Sequence, residues 1–206
     1  MRANLYIDGF NLYYGALRGT PWKWLDLSCV GRRLLPGHDL VRIRYFTAKV
    51  SATVGDPGSS QRQHGYLRAL RTIPGLSIHL GVFRSRVAAL PLADSDALVR
   101  VVRIEEKGSD VNLASYLLLD AFHRECDLAL IISNDYDLLA PVRLVQAEFG
   151  IPVGVVNPHP AARRSRALAE AGAFFRQLRP ATLRDCQFPP YLVDGEVEFA
   201  RPPEWA

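Results

Sequence analysis

Asn4-Leu5-Tyr6-Ile7-Asp8-Gly9-Phe10-Asn11-Leu12 is the stretch on which the fold turns. A short apolar run ends at Asp8-Gly9 and gives way to a helical pattern over about Phe10 to Leu17, so the chain reads as strand, turn and helix. Outward from there the alternation continues. Leu40 to Ala48 predicts a second strand, and the Gly-, Ser-, Thr- and Pro-containing stretch Ser51 to Ser60 predicts a loop before a helix over Gln61 to Arg71 that Pro74-Gly75 stops. Leu76 to Phe83 reads as a third strand. The tracts Phe83 to Ala89 and Leu98 to Ile104 are expected to form a β-hairpin arm around Pro91 to Asp96.

Ser109 to Phe122 predicts a helix, Asp127 to Ile132 a strand buried on both faces, Leu138 to Phe149 a helix and Ile151 to Val156 another strand. Strands that alternate with helices imply an α/β fold with a mainly parallel sheet. The last helix is expected near Ser165 to Ala171. The reading is one domain over residues 1–172 and an extension over residues 173–206, rich in Pro and aromatics, that packs on it as irregular chain.

With 206 residues and 49% hydrophobic content, the chain can bury one sizeable core. A net charge of +4 and a pI near 9.1 permit a polyanionic partner without specifying one. Cys29, Cys126 and Cys186 are scattered and lack CxxC or Cys/His spacing. Neither a disulfide framework nor a zinc knuckle is expected from them, and a reducing cytoplasm is the expected compartment. The apolar runs are of strand length and no signal-peptide pattern precedes Asn4, so neither export nor membrane insertion is expected.

The acids carry the chemistry. Ligand crevices of open parallel sheets lie outside the carboxyl ends of the strands. Asp8 follows Leu5-Tyr6-Ile7 directly, Asp135 and Asp137 follow Leu130-Ile131-Ile132, and Asp110 falls in the first turn of a helix after Lys107-Gly108-Ser109. Asn11 lies one helical turn beyond Asp8. Short oxygen-bearing side chains suit a hard cation such as Mg²⁺, and gathered carboxylates repel one another unless a cation neutralises them. Taken singly, each aspartate is equally an N-cap or turn residue, a role in which Asp is favoured over Ala by ~1 kcal/mol. The combination is what singles them out.

Three blocks, Tyr6-Ile7-Asp8-Gly9-Phe10-Asn11-Leu12, Glu106-Lys107-Gly108-Ser109-Asp110-Val111-Asn112-Leu113-Ala114 and Ile132-Ser133-Asn134-Asp135-Tyr136-Asp137-Leu138, resemble the NYN family of PIN-like nucleases, over about residues 3–157. The resemblance implies a Rossmann-like three-layer α/β/α sandwich and a Mg²⁺ or Mn²⁺ site for hydrolysis of RNA, single-stranded by expectation. Carried over by position, Asp8, Asp110 and Asp135 are the core metal ligands. Asp137 is a fourth acid, a further metal ligand or a water-positioning base, and Asn11 their polar partner. Tyr136 departs from the small residue common between the last two acids.

Around these, Lys107, Ser133 and Asn134 are candidate substrate contacts, against plain loop and capping roles. Tyr13, Tyr14, Trp22 and Trp24 are candidate stacking faces, against core packing. Arg84, Arg86, Arg100 and Arg103 would line a strand-tracking groove if they shared one face of the arm. His159 reads as a turn residue. Two rival functions stand beside the nuclease. A haloacid dehalogenase-like phosphatase needs a second acid two residues after the first, where this chain has Phe10. A PIN-like module that binds RNA or protein without cutting would need no metal. No GxGxxG follows the first strand and no Walker A sequence occurs.

Overall fold

The apolar run Leu5-Tyr6-Ile7 forms the centre of β1 (Arg2–Asp8), and β1 is the middle strand of a seven-stranded sheet. The computed structural model describes residues 1–52, 55–95 and 97–205. Thr53 and Val54 of the expected loop, and Asp96 of the expected turn, lie outside the described residues. The other strands of the sheet are β2 (Asp39–Ala48), β3 (Leu76–Pro91), β4 (Leu98–Lys107), β5 (Leu128–Ile132), β6 (Val153–Asn157) and β7 (Phe174–Gln177). Their spatial order is β4-β3-β2-β1-β5-β6-β7, and every pairing is parallel except the antiparallel β3–β4.

Helices α1 (Gly9–Leu12), α2 (Leu27–Leu34), α3 (Ser59–Arg71), α4 (Ser109–Phe122), α5 (Leu139–Phe149), α6 (Arg166–Ala171) and α7 (Pro180–Asp185) cover both faces. Successive strand residues point to opposite faces, so one strand feeds two cores. Leu5, Ile7, Leu130 and Ile132 pack with α2 and α3, while Tyr6, Ala129 and Ile131 pack with α4 and α5. This is the expected α/β/α sandwich.

The second core holds a buried ion pair. Asp120, near the end of α4, accepts two hydrogen bonds from the Arg44 guanidinium at 2.8 and 2.6 Å, and one from the Tyr6 hydroxyl at 2.7 Å. Arg44 also lies 4.5 Å over the Tyr116 ring, and His79 stacks on Phe46 at 5.0 Å. At 1.5 Å per residue this network lies ~15 Å along α4 from Asp110. It braces the helix that carries Asp110.

Several expectations are corrected. The helix predicted over Phe10 to Leu17 is α1 followed by a π-helical turn over Tyr13–Leu17, closed by Arg18 N donating to Tyr13 O at 2.7 Å. The third strand does not stop at Phe83: β3 runs unbroken for 16 residues, and the hairpin arm is its continuation paired with β4. Residue 172 falls short of the sheet, because β7 begins at Phe174. The tail packs on the body and is not irregular. It forms α7 and a hairpin of β8 (Tyr191–Asp194) and β9 (Val197–Ala200), turned through Gly195-Glu196. Asp194-Gly195 between alternating residues is a hairpin signal that the density of prolines obscured.

The tail is held by Trp24, whose indole N–H donates to Pro189 O at 2.9 Å and whose ring meets Phe188, Phe199 and Trp205. Trp24 is thus a core residue and not a stacking face. Cys29 of α2 and Cys186, just past α7, are disulfide-bonded with Cα atoms 5.4 Å apart, which corrects the expectation of unpaired thiols. Their spacing of 157 residues carries no local signal; packing of the tail on α2 brings them together. Cys126 is free and buried. Among the described residues no helix is long and apolar enough to cross a membrane.

Candidate metal centre

β1 and β5 are neighbours in register, with Ile7 opposite Ile132, so the residues that follow them emerge side by side at the carboxyl edge of the sheet. Asp8 is 4% exposed. It caps α1 by accepting from Asn11 N at 2.9 Å, and its second oxygen accepts from Ser133 Oγ at 2.9 Å. Gly9 is required here, because a Cβ would lie 2.7 Å from both Phe46 O and the Tyr45 ring. Asp135 caps the short 3-10 turn Tyr136–Leu138, accepting from Asp137 N at 3.0 Å, while its own N–H donates to Ser133 Oγ at 3.1 Å. Asp110 arrives on the first turn of α4.

One carboxylate oxygen from each of Asp8, Asp110 and Asp135 lies within 4.8 Å of the other two. The arrangement is electrostatically costly. Burial, with the Asp110 and Asp135 charges adding to it, pushes the Asp8 carboxyl up to about 7 against the pull of its two hydrogen bonds. Asp110 is likewise raised, by burial first and then by Asp135, Glu106 and Asp137. Three short carboxylates, converging and short of compensation, match the donor set of a hard divalent cation.

Among the other residues read from the sequence, Asn11 stands in the site, its side-chain oxygen accepting from Asn134 N at 3.0 Å and so tying the two strand ends together. Asp137 is exposed and lies outside the convergence. It lines a neighbouring cavity with Glu106, Lys107 and Asp110. The three expected substrate contacts already have partners in the fold. Ser133 is fully buried and its hydroxyl is engaged by Asp8 and Asp135. Asn134 is engaged as well, donating to Arg163 O at 2.8 Å and accepting from Ser165 N at 2.6 Å. The Lys107 ammonium pairs with Glu105 at 3.3 Å.

The four arm arginines do not share a face. Arg84 and Arg86 stand opposite Glu105 and Arg103, whereas Arg100 stands opposite Ala89, one residue out of phase. Phe83, opposite Glu106, belongs to the Arg100 face. That face, not the one carrying most of the cations, opens on the acids.

The cavity over the acids, about 340 Å³, is lined by Asp8, Asn11, Asp110 and Asp135 together with Phe10, Tyr14, Phe83, Glu106, Ser109 and His159. Glu106 falls within the second of the family-like blocks, four residues before Asp110. Its carboxylate caps α4, accepting from Ser109 N at 3.1 Å and Ser109 Oγ at 2.6 Å. Gly81 leaves it room, since a Cβ there would sit 2.0 Å from Glu106 Oε1 and 2.7 Å from Lys107 O. Phe83 and His159 carried no local signal, because chain-distant packing alone brings them to the acids. Tyr136 is exposed and lines neither cavity.

In a mainly parallel α/β sheet the carboxyl edge is where ligands bind, and the carboxylates gathered there could hold a divalent metal ion. The chain belongs to the NYN domain family, whose model matches residues 2–176. It is 33% identical, over all of its length and 75% of the relative's, to a 6-hydroxy-3-succinoylpyridine 3-monooxygenase of Pseudomonas putida. Its fold is similar to the crystal structure of a protein of unknown function from Vibrio parahaemolyticus, with a TM-score of 0.58 at 17% identity, covering 87% of this chain and 93% of that one.

Proposed function

We propose that the protein is a metal-dependent ribonuclease that hydrolyses phosphodiester bonds of single-stranded RNA at the Asp8, Asp110 and Asp135 centre. The observation that carries this reading is the convergence of those three carboxylates within 4.8 Å, in a chain of the NYN family. Asp8, Asp110 and Asp135 would hold Mg²⁺ or Mn²⁺. Once bound, such an ion supplies Lewis acidity and charge neutralisation at a scissile phosphodiester. Asn11 and Ser133 position the acids, the first by joining the strand ends and the second by bridging Asp8 to Asp135. Asp137, exposed and lining the neighbouring cavity with Asp110, would orient an attacking water from the rim.

Cleavage of labelled single-stranded RNA in Mn²⁺, Mg²⁺ or EDTA tests this, with Asp110→Asn as the control. Metal-dependent cleavage lost in the variant is the expected result. RNA that binds and stays intact in every metal would instead make the protein a binding module.

A second reading is favoured by the pyridine monooxygenase relative together with the ring-lined cavity: hydroxylation of a small N-heteroaromatic ring. That reaction consumes dioxygen and a two-electron donor such as a reduced nicotinamide. Oxidation of NADH coupled to a hydroxypyridine, with product detected by mass spectrometry, would support it over RNA hydrolysis.

A further inference from the structure

Two chain-distant elements bring exposed aromatic rings to the mouth of the acidic cavity. Phe10 and Tyr14, one helical turn apart after β1, have centroids 6.5 Å apart and planes 24° apart. Phe83, at the base of the arm, meets Phe10 edge-on at 5.7 Å. All three line the same cavity as Asp8, Asp110 and Asp135. Tyr14 is 58% exposed and Phe83 38%. Trp24, Phe46 and Phe188 fill the interior, whereas Tyr14 and Phe83 stay exposed and Phe10 is half-buried at the cavity.

We propose that Phe10, Tyr14 and Phe83 form a stacking wall for one unpaired base of the RNA strand, next to the phosphodiester held over the acids; the assignment rests on the nuclease reading. The cavity, about 340 Å³, is large enough to admit part of a nucleotide. Carboxylates alone repel a phosphate strand, so affinity must come from the base and from nearby cations. Arg18, its guanidinium 5.5 Å over the Tyr14 ring, has no ion-pair partner among the described residues and is placed to meet the flanking phosphate. The arm arginines Arg84, Arg86 and Arg103 lie on the opposite face from Phe83 and take no part. Recognition therefore runs through the ring plane, which every base offers, and the wall selects unpaired strands without reading sequence.

The test is an abasic scan. Labelled single-stranded RNAs that lack one base at a time are presented with Mn²⁺ to the wild type, Phe83→Ala and Phe83→Trp, and binding is followed by anisotropy alongside cleavage. For the wild type, removing the base beside the cut site should raise KM about tenfold with kcat kept, as expected for the loss of one stacked base. Phe83→Ala should show that raised KM on intact RNA and become blind to the missing base, while Phe83→Trp restores both. Cleavage with no dependence on the base, or a Phe83→Ala enzyme that keeps the dependence, overturns the wall and leaves the nuclease reading standing. Binding that depends on the base without any cleavage upholds the wall and sinks the nuclease. Absence of both binding and cleavage sinks the two together.

Discussion

Ser133 Oγ donates to Asp8 Oδ2 at 2.9 Å across 125 residues of sequence, and the same oxygen accepts from Asp135 N at 3.1 Å. One buried hydroxyl thereby sets the spacing of two of the three acids. The hydrogen bond exists because β1 and β5 pair in register up to Ile7 and Ile132. The precision of the site is inherited from the sheet.

Ser133→Ala should therefore disturb the site without emptying it. The variant leaves a buried Asp8 oxygen and the Asp135 N–H without a partner, at a cost of about 1–3 kcal/mol in stability. Mn²⁺ affinity should fall with it, because Asp135 is no longer held against Asp8. Calorimetric titration with Mn²⁺ and a urea melt measure the two effects. An affinity equal to that of the wild type would show that the bridge does not set the ligand spacing.

Asp8 gives a pH dependence of definite sign. Folding raises its pKa from 3.8 to about 7 in the cation-free chain, burial being the main cause. Between those values the unfolded chain has released a proton that the folded chain keeps, so the cation-free fold loses stability as pH rises through the window. Asp8→Asn removes the penalty. In EDTA above pH 7 it should melt higher than the wild type, while losing the rise in Tm that Mn²⁺ confers. A variant that melts lower in EDTA and still responds to Mn²⁺ would contradict the placement of Asp8 as a ligand.

The Arg44–Asp120 pair predicts the opposite combination, stability lost and metal binding kept. Asp120→Asn leaves the Arg44 guanidinium inside the second core without its counter-charge, which costs about 3–5 kcal/mol for a buried pair. The network lies far along α4 from Asp110, so Mn²⁺ affinity measured below the melting temperature should be unchanged. A parallel loss of affinity would mean that α4 transmits the damage to its N-terminus.

The disulfide between Cys29 and Cys186 ties the tail to α2 and closes a span of 157 residues. Cys186→Ser, or reduction of the wild type, should lower stability by about 2–4 kcal/mol, the usual range for a cross-link that restricts the unfolded chain. Thiol titration in denaturant supplies the control. One reactive thiol, from Cys126, is expected before reduction and three after it. Three thiols before reduction would restore the unpaired cysteines that their spacing suggests.

The parts legible in the sequence share a cause. Leu128 to Ile132 and Leu5 to Ile7 are buried on both faces, so continuous apolar runs betray them, and the polar residues that end those runs must reach the sheet edge where ligands bind. Asp8, Asp110, Asp135 and Asn11 were readable on that ground and through the family blocks. β7 and the β8–β9 hairpin were not, because four-residue strands carry too little periodicity to stand out from a Pro- and aromatic-rich tail.

By itself, then, the sequence determined the alternating α/β architecture, the family and the acids, all of which depend on local pattern: the period of burial along an element and the identity of the residue that ends it. Only the tertiary structure decided which acids converge, that Asp137 stands apart, that Ser133 and Asn134 serve the scaffold, that Arg100 faces away from the other arm arginines, and that Phe83 and Cys186 find their partners. These depend on strand register and on which chain-distant surfaces pack together, and no spacing along the chain encodes a distance across it.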